Sequence, residues 1–489
     1  MHAPTHITGI GAWIPRLRLA RATIAKAIAW ASPGANAQAK GARAVCNWDE
    51  DAITMAVEAG RLALADARRS QADFSIESIG LASTTLPFAS RDDAGLVAAA
   101  LDADSATATL NVTGSLRAGT NALIQACLAA RPALVIASDA RVAQCASPQE
   151  MAYGHGAAAL CLTPDAAPEA AKEHALASVL GFAQVAVDFV DHYRMAGETF
   201  DYALEERWIR DEALARFPVE TIQRALQTAG IDAAQVQHFV MPGPAAAIKR
   251  IAQNAGLVNA ALADALHADC GDTGTAQPLL MLARVLEQAA PGDLMVLAAF
   301  GQGVDAIVLR VGARAASQRS QAVATALARR CDEPDYVRYL SHAGLVDVDF
   351  GMRAERDNRT AQSVAWRKRR ATTAFVGGRC ARCDTVQFPL ARVCVNPDCR
   401  ATDTQKEYRF ADSLGRVKTF TEDWQAYSAR PPYIYGNVGF AEGGNLFMEF
   451  TVLAAGELAV GDQVRFVFRI KDVDKLRGFR RYFWKAVKA

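Results

Sequence analysis

Four cysteines in two close pairs, Cys380-Ala-Arg-Cys383 and Cys394-Val-Asn-Pro-Asp-Cys399, constrain this chain more than any other stretch. Each pair can set two thiolates on one turn, and the hairpin between them lets the turns converge. That is the four-sulfur tetrahedron Zn²⁺ prefers, so structural zinc on Cys380, Cys383, Cys394 and Cys399 is the expectation. Gly377-Gly378 ahead of the first pair, and Pro389 and Pro397, suit tight loops. The competing readings are ligands that no longer hold a metal, in a ribbon kept by packing, and disulfides, which need an export route the sequence does not suggest.

The bulk numbers exclude several classes. A chain of 489 residues can build more than one core. A net charge of +1 creates no field that would recruit nucleic acid or an anionic membrane. No apolar run approaches the ~20 residues a bilayer span requires. Met1 to Trp13 lacks the basic start and apolar core of a signal peptide. Cys46, Cys127, Cys145, Cys161, Cys270 and Cys331 stand singly and read as reduced thiols of a cytoplasmic protein.

Apolar runs and helical spacing alternate through two series. In the first, strands are expected at Ile7–Trp13, Ile79–Ser83, Ala133–Ser138 and Gly156–Leu162. Helices are expected at Asp51–Ala67, with Asp49, Glu50 and Asp51 near its start, and at Gly119–Arg131. The second has strands at Leu176–Ala183, Phe239–Met241, Leu294–Ala299 and Val304–Val311. Its helices are a long one at Glu205–Ala229, then Ala245–Gly256 and Thr275–Gln288. Alternation of this kind predicts an α/β layered fold, and the repeated theme suggests a duplication. A connector with helical parts at Gln318–Arg330 and Pro334–Ser341 carries the basic run Arg367–Arg370, which reads as a solvated face. Strands at Gly415–Thr421, Tyr435–Phe440, Asn445–Thr451 and Gln463–Ile470 predict a small barrel after the ribbon.

Trp48-Asp49-Glu50-Asp51-Ala52-Ile53-Thr54-Met55-Ala56-Val57-Glu58-Ala59, Ala118-Gly119-Thr120, Gly271-Asp272-Thr273-Gly274-Thr275-Ala276-Gln277-Pro278-Leu279-Leu280 and Phe300-Gly301-Gln302-Gly303 make residues 1–312 resemble the thiolase superfamily. The likeness is strongest to hydroxymethylglutaryl-CoA synthases and type III ketoacyl-carrier-protein synthases. Residues 375–489, with Gly415–Thr421 and Gly461-Asp462-Gln463-Val464, resemble the zinc-ribbon and OB-fold module that accompanies acyl-CoA thiolases. The resemblance implies thiolase-like halves at 1–165 and 166–312, a connector at 313–372, a rubredoxin-like zinc ribbon at 373–405 and an OB-fold at 406–489. It also implies a homodimer and a CoA thioester as substrate.

The chemistry of that family needs a cysteine at the start of the helix after the third strand. With Ala118-Gly119-Thr120 fixing the register, that position falls on Leu116, beside Ser115. The family's Glu falls on Thr84, its His on Val240 and its Asn on Asp272. An acyl-cysteine route is therefore not expected. Asp272, a carboxylate expected to be buried in a thioester site, can act as a proton carrier, as can His192 and Tyr193 in Asp188–Arg194. Ser115 lacks an evident base, and His155 and His238 read as packed side chains. Lys249, matching a lysine of the synthase pattern, and Arg250 are candidates for the CoA phosphates, with Arg16, Arg18 and Arg21 a weaker group. Two functions follow. One is an acyl-CoA enzyme that makes or breaks a C–C bond by an aldol or retro-aldol step. The other is a non-catalytic acyl-CoA-binding subunit for a partner thiolase that supplies the cysteine.

Overall fold

Ten strands of the first 312 residues join in one sheet. Its order is 261–262, 238–240, 294–300, 303–311, 177–186, 5–13, 155–164, 133–140, 78–82 and 108–112. Numbered within each half, both halves read 3-2-4-5-1 from edge to middle, and the two first strands meet at the centre. The duplication is thus written in the strand order. The computed structural model describes residues 4–165, 174–314 and 319–489, so Gln318, the expected start of a connector helix, lies outside the described residues. The chain divides into two compact units. The first comprises Met1–Cys46, Asp51–Ala98 and Ala103–Tyr339; the second comprises Asn47–Glu50, Ala99–Asp102 and Leu340–Ala489.

In the first unit, helix Ala52–Ser70 starts with a capping box. Asp51 Oδ1 accepts from the Thr54 amide at 3.0 Å and Thr54 Oγ1 accepts from the Asp51 amide at 2.8 Å. This helix packs on strands 5–13 and 155–164, as helix Phe217–Ala229 packs on 177–186 and 303–311. The helix after the third strand of each half, Ala118–Ala129 and Gln277–Leu286, is enclosed instead. The two touch each other, and Gln277–Leu286 meets strands of both halves. Gln277 to Ala283 are all buried, as a helix covered on every side must be. The result is the expected thiolase-like layering. Among the described residues no helix is long and apolar enough to cross a membrane.

Two readings are corrected. The long helix expected over Glu205–Ala229 is broken into Glu206–Trp208, a π-helical turn at Ile209–Leu214 and Phe217–Ala229. Pro218 lies in the first turn of the last piece, where a missing N–H costs nothing. Asp49 and Glu50 do not serve the start of helix Ala52–Ser70. They belong to the second unit.

There, strands Val376–Cys380, Val386–Gln387 and Gln405–Arg409 form the ribbon. A five-stranded antiparallel sheet follows, ordered 445–449, 433–439, 415–423, 463–474, 479–488. A bridge between Phe450 and Ala486 draws its outer strands together, which is consistent with a small barrel of the OB type. One aromatic core serves both parts. The Phe375 ring lies 5.2–5.8 Å from Phe388, Phe410, Phe466, Phe483 and Trp484. Beside it, Asp49 is buried against Lys485 at 3.0 Å and Thr451 at 2.7 Å, and Arg469 pairs with Glu50 at 3.0 Å.

Candidate active site

The starts of the two enclosed helices converge. A Cβ on Gly119 would stand 2.5 Å from the Thr275 carbonyl oxygen, so glycine allows helix Ala118–Ala129 to approach the turn Gly274–Ala276 ahead of Gln277–Leu286. Two positive helix ends therefore face one region. Next to them the loop Gly301–Gly303 presses on Ser115: a Cβ on Gly301 would lie 2.7 Å from Ser115 Oγ. Ser115 Oγ donates to the Gly301 carbonyl at 2.6 Å and accepts from the Arg117 amide at 3.3 Å. Its proton is committed to a carbonyl, not to a base. Arg117 also donates to Gly301 at 3.2 Å and pairs with the buried Asp305 at 2.8 Å. Leu116 is half-buried and Val240 fully buried in the apolar core.

Thr84 is held by Asp139, which accepts from its amide at 2.7 Å and its hydroxyl at 3.1 Å. Asp139 also accepts from Ser83, Thr85 and the Thr275 amide, so it ties the loop after strand 78–82 to the loop after Asp272. A polar chain continues from there. Arg194 donates to the Thr84 carbonyl and lies 3.8 Å from Asp201. Asp201 pairs with buried Arg141 at 3.0 Å and accepts from Tyr153 Oη at 3.0 Å. Arg141 lies 3.6 Å from the Tyr153 ring centre and reaches Asp272 at 3.4 Å. Burial pushes the Tyr153 phenol well above its usual range, so it remains a donor at neutral pH.

Asp272 is not buried as expected. Its side chain is 40% exposed, with one oxygen toward Arg141 and the other accepting from the Gly274 amide at 2.9 Å. Its backbone is held beside Tyr153 by two bonds: the Asp272 amide donates to the Ala152 carbonyl and the Gly154 amide donates to the Asp272 carbonyl, each at 2.8 Å. His192 is the better-sheltered candidate. Its Nδ1 lies 2.8 Å from Asp191 Oδ2, and Gln302 Nε2 donates to its carbonyl at 2.9 Å, anchoring it to the loop that holds Ser115. Tyr193, the next residue, is exposed and meets the Tyr202 ring at 5.4 Å. Lys249 and Arg250 stand on the exposed side of helix Ala245–Asn254, where Arg250 reaches the Arg210 carbonyl at 3.5 Å. His155 is a packed side chain. Nδ1 accepts from the Cys46 amide at 2.9 Å, Nε2 faces the Arg141 carbonyl at 3.0 Å, and burial pulls its pKa down to about 3. His238 opens its strand and meets Asp293 at 2.9 Å. The buried thiols are inert: burial raises Cys127 to about 11 and Cys270 to about 12.

Sequence reasoning passed over Arg141, Asp201 and Asp191. The charged pair Asp139 and Arg141, at the end of the buried strand Ala133–Ala140, was the signal that could have found the first of these.

In the second unit the sulfurs of Cys380, Cys383, Cys394 and Cys399 all lie within 4.8 Å of one another. Cys380–Cys399 is 3.9 Å and Cys383–Cys394 3.6 Å. A tetrahedron with Zn–S of about 2.3 Å requires S···S of about 3.8 Å, so the four residues fit zinc. Thr404 Oγ1 lies 3.2 Å from the Cys380 sulfur and would bond to that ligand with a metal in place.

Comparison with known proteins agrees with this fold. Residues 226–311 match the family model for the C-terminal part of 3-oxoacyl-[acyl-carrier-protein] synthase III. A hydroxymethylglutaryl-CoA synthase of Aeropyrum pernix is 26% identical over 304 residues, 61% of this chain and 81% of that protein. A DUF35 domain-containing scaffold protein of Methanocaldococcus jannaschii is 27% identical over 124 residues, 25% of this chain and 86% of that protein. The solved structure of a hydroxymethylglutaryl-CoA synthase complexed with CoA superimposes with a TM-score of 0.57 at 16% identity, covering 74% of this chain and 95% of that one.

Proposed function

We propose that the protein handles acyl-CoA thioesters and makes or breaks a C–C bond by an aldol or retro-aldol step, without an acyl-cysteine intermediate. The observation that carries this is the Asp191–His192 pair, an imidazole held at 2.8 Å by a carboxylate and fixed to the Gly301–Gly303 loop. A base with an orienting acid suits proton transfer, while Leu116 and a committed Ser115 offer no nucleophile. In the cleavage direction the base removes the β-hydroxyl proton. The Cα–Cβ electrons move to Cα, a carbonyl compound departs, and the thioester enolate then takes a proton at Cα. The enolate oxygen is suited to the converging helix ends. Asp272 is the second proton-handling group. The relatedness to hydroxymethylglutaryl-CoA synthases supports CoA as the carrier, with Lys249 and Arg250 on its phosphates. Zinc on the four cysteines is structural in this reading, and the chain acts as a homodimer.

A second reading rests on a different observation, the likeness to a scaffold protein. In it the chain binds acyl-CoA for a partner thiolase. Incubating the purified protein with β-hydroxyacyl-CoA thioesters, and following the products by mass spectrometry, separates the two. Turnover that falls in His192→Asn supports the first. Absence of turnover by the protein alone, with activity restored by a co-purifying thiolase, supports the second.

A further inference from the structure

The segment that carries His192 also carries a concentration of exposed apolar side chains. Val190, Tyr193, Met195, Tyr202 and Trp208 are all solvent-exposed within nineteen residues. They are organised rather than scattered. Trp208 stacks on Phe189 with centroids 6.5 Å apart and planes at 16°, and Phe189 meets the edge of Phe300 at 6.4 Å. Tyr193 and Tyr202 form a second pair at 5.4 Å, on the short antiparallel bridge that holds His192. Phe300 directly precedes Gly301, the carbonyl on which Ser115 and Arg117 converge. The series Trp208, Phe189, Phe300 therefore runs into the candidate site, with the tyrosine pair on the bridge that carries His192. Trp208 is followed at once by the π-helical turn Ile209–Leu214, a distortion that recurs at functional sites.

We infer that this strip is the platform for a bulky, ring-bearing apolar acyl group of the thioester. The inference rests on the reading above that the site takes acyl-CoA, and it names the acyl class. One feature favours a ligand of this kind. Four of the side chains concerned, Phe189, Tyr193, Tyr202 and Trp208, are flat aromatics whose rings are held by one another, and such faces bind planar or polycyclic apolar surfaces well.

The test is binding of acetyl-CoA, cyclohexanecarbonyl-CoA and 2-naphthoyl-CoA to the full chain by titration calorimetry. The ring-bearing thioesters are expected to bind at least tenfold more tightly than acetyl-CoA. Trp208→Ala should erase about tenfold of that preference and leave acetyl-CoA unchanged, whereas Trp208→Phe should keep it. Equal affinity for all three overturns the inference, as does an equal loss for acetyl-CoA in Trp208→Ala. A Trp208→Ala variant that alters self-association but not the preference would assign the strip to a protein partner and overturn it as well. Absence of any preference in the unsubstituted protein with aldol turnover intact refutes only the platform. Preference without turnover refutes only the aldol reading.

Discussion

The register proposed from Ala118-Gly119-Thr120 puts Leu116 and Val240 where the resembled synthases place a thiol and an imidazole, and on that proposal chemistry is sought in other residues. His192 and Asp272 are the two that combine access with an orienting partner. His192→Asn is expected to lower aldol turnover by roughly 10²-fold or more with the fold and CoA binding intact, the usual scale for general acid–base help. Asp272→Asn keeps the hydrogen bond from Gly274 but removes the charge facing Arg141, and a loss of the same order is expected if it moves a proton. Steady-state rates on a β-hydroxyacyl-CoA check both, and unchanged rates would move the role to Tyr193. A separate residue sets a pH dependence of stability. Asp93 is buried, neither of its oxygens has a partner, and burial, against the pull of Arg91 and with Asp51 and Asp92 nearby, pushes it from 3.8 up to about 6. A raised carboxyl pKa favours the protonated form when folded, so stability falls as pH rises from about 4 to 6 and the full cost is borne above that. Asp93→Asn should raise the melting temperature at pH 8, with the gain vanishing toward pH 4. Equal gains at both pH values would refute it.

At the scale of elements, the strands and helices of both halves were legible because buried strands and apolar helix faces leave strong periodic signals. The break at Pro218 was readable too, since proline belongs to a first turn, yet the amphipathic run on either side masked it. Much of the candidate site was not legible. Thr84, Leu116, Val240 and Asp272 could be placed by motif, but Arg141 and Asp201 are sixty residues apart and meet only because the irregular segment 188–203 folds back on strand Ala133–Ala140. Aperiodic loops carry no spacing that announces their partners. The role of Asp49 was misread for a similar reason: an acid near a helix start looks like a dipole partner, whereas its partner Lys485 lies at the far end of the chain. That pair makes a sharp prediction. Asp49 and Lys485 are both buried, and Lys485 and Arg469 outweigh burial to hold the carboxyl below its usual range. Lys485→Met removes the nearest cation of buried Asp49, leaving it Arg469 at 4.0 Å, and should cost up to about 3–5 kcal/mol, measured by denaturant unfolding, whereas exposed Lys488→Met should cost far less. The ribbon gives a parallel test. Zinc should be present at one ion per chain, and Cys383→Ser should lose it and loosen the ribbon first, because metal binding there is folding energy. Metal-free protein that keeps its ribbon intact would show that the Phe375 core suffices.

For the whole molecule, two features of one chain must be reconciled: a thiolase-like fold whose nucleophile position is proposed to fall on Leu116, and a C-terminal stretch similar in sequence to a scaffold protein. The two proposed readings are that the fold has turned to proton-transfer chemistry and that it binds acyl-CoA for another protein. Both readings agree that no acyl group is transferred to this chain, and physical chemistry says why. Cys127 and Cys270, the buried thiols of the first unit's core cluster, are raised to about 11 and 12, so at pH 7 roughly one molecule in ten thousand or fewer carries the reactive thiolate. Cys145 is exposed, but its sulfur lies 3.1 Å from Tyr336 Oη, and no imidazole is bonded to it among the described residues. Incubation with acetyl-CoA should therefore leave every cysteine peptide unmodified by mass spectrometry, with or without a thiolase present. If a thiolase co-purifies, the acetyl adduct should appear on that protein alone. A stable adduct on Cys127, Cys145 or Cys270 would mean that the helix start at Leu116 is not where this chain lost its nucleophile, and both readings would have to be rebuilt around the modified thiol.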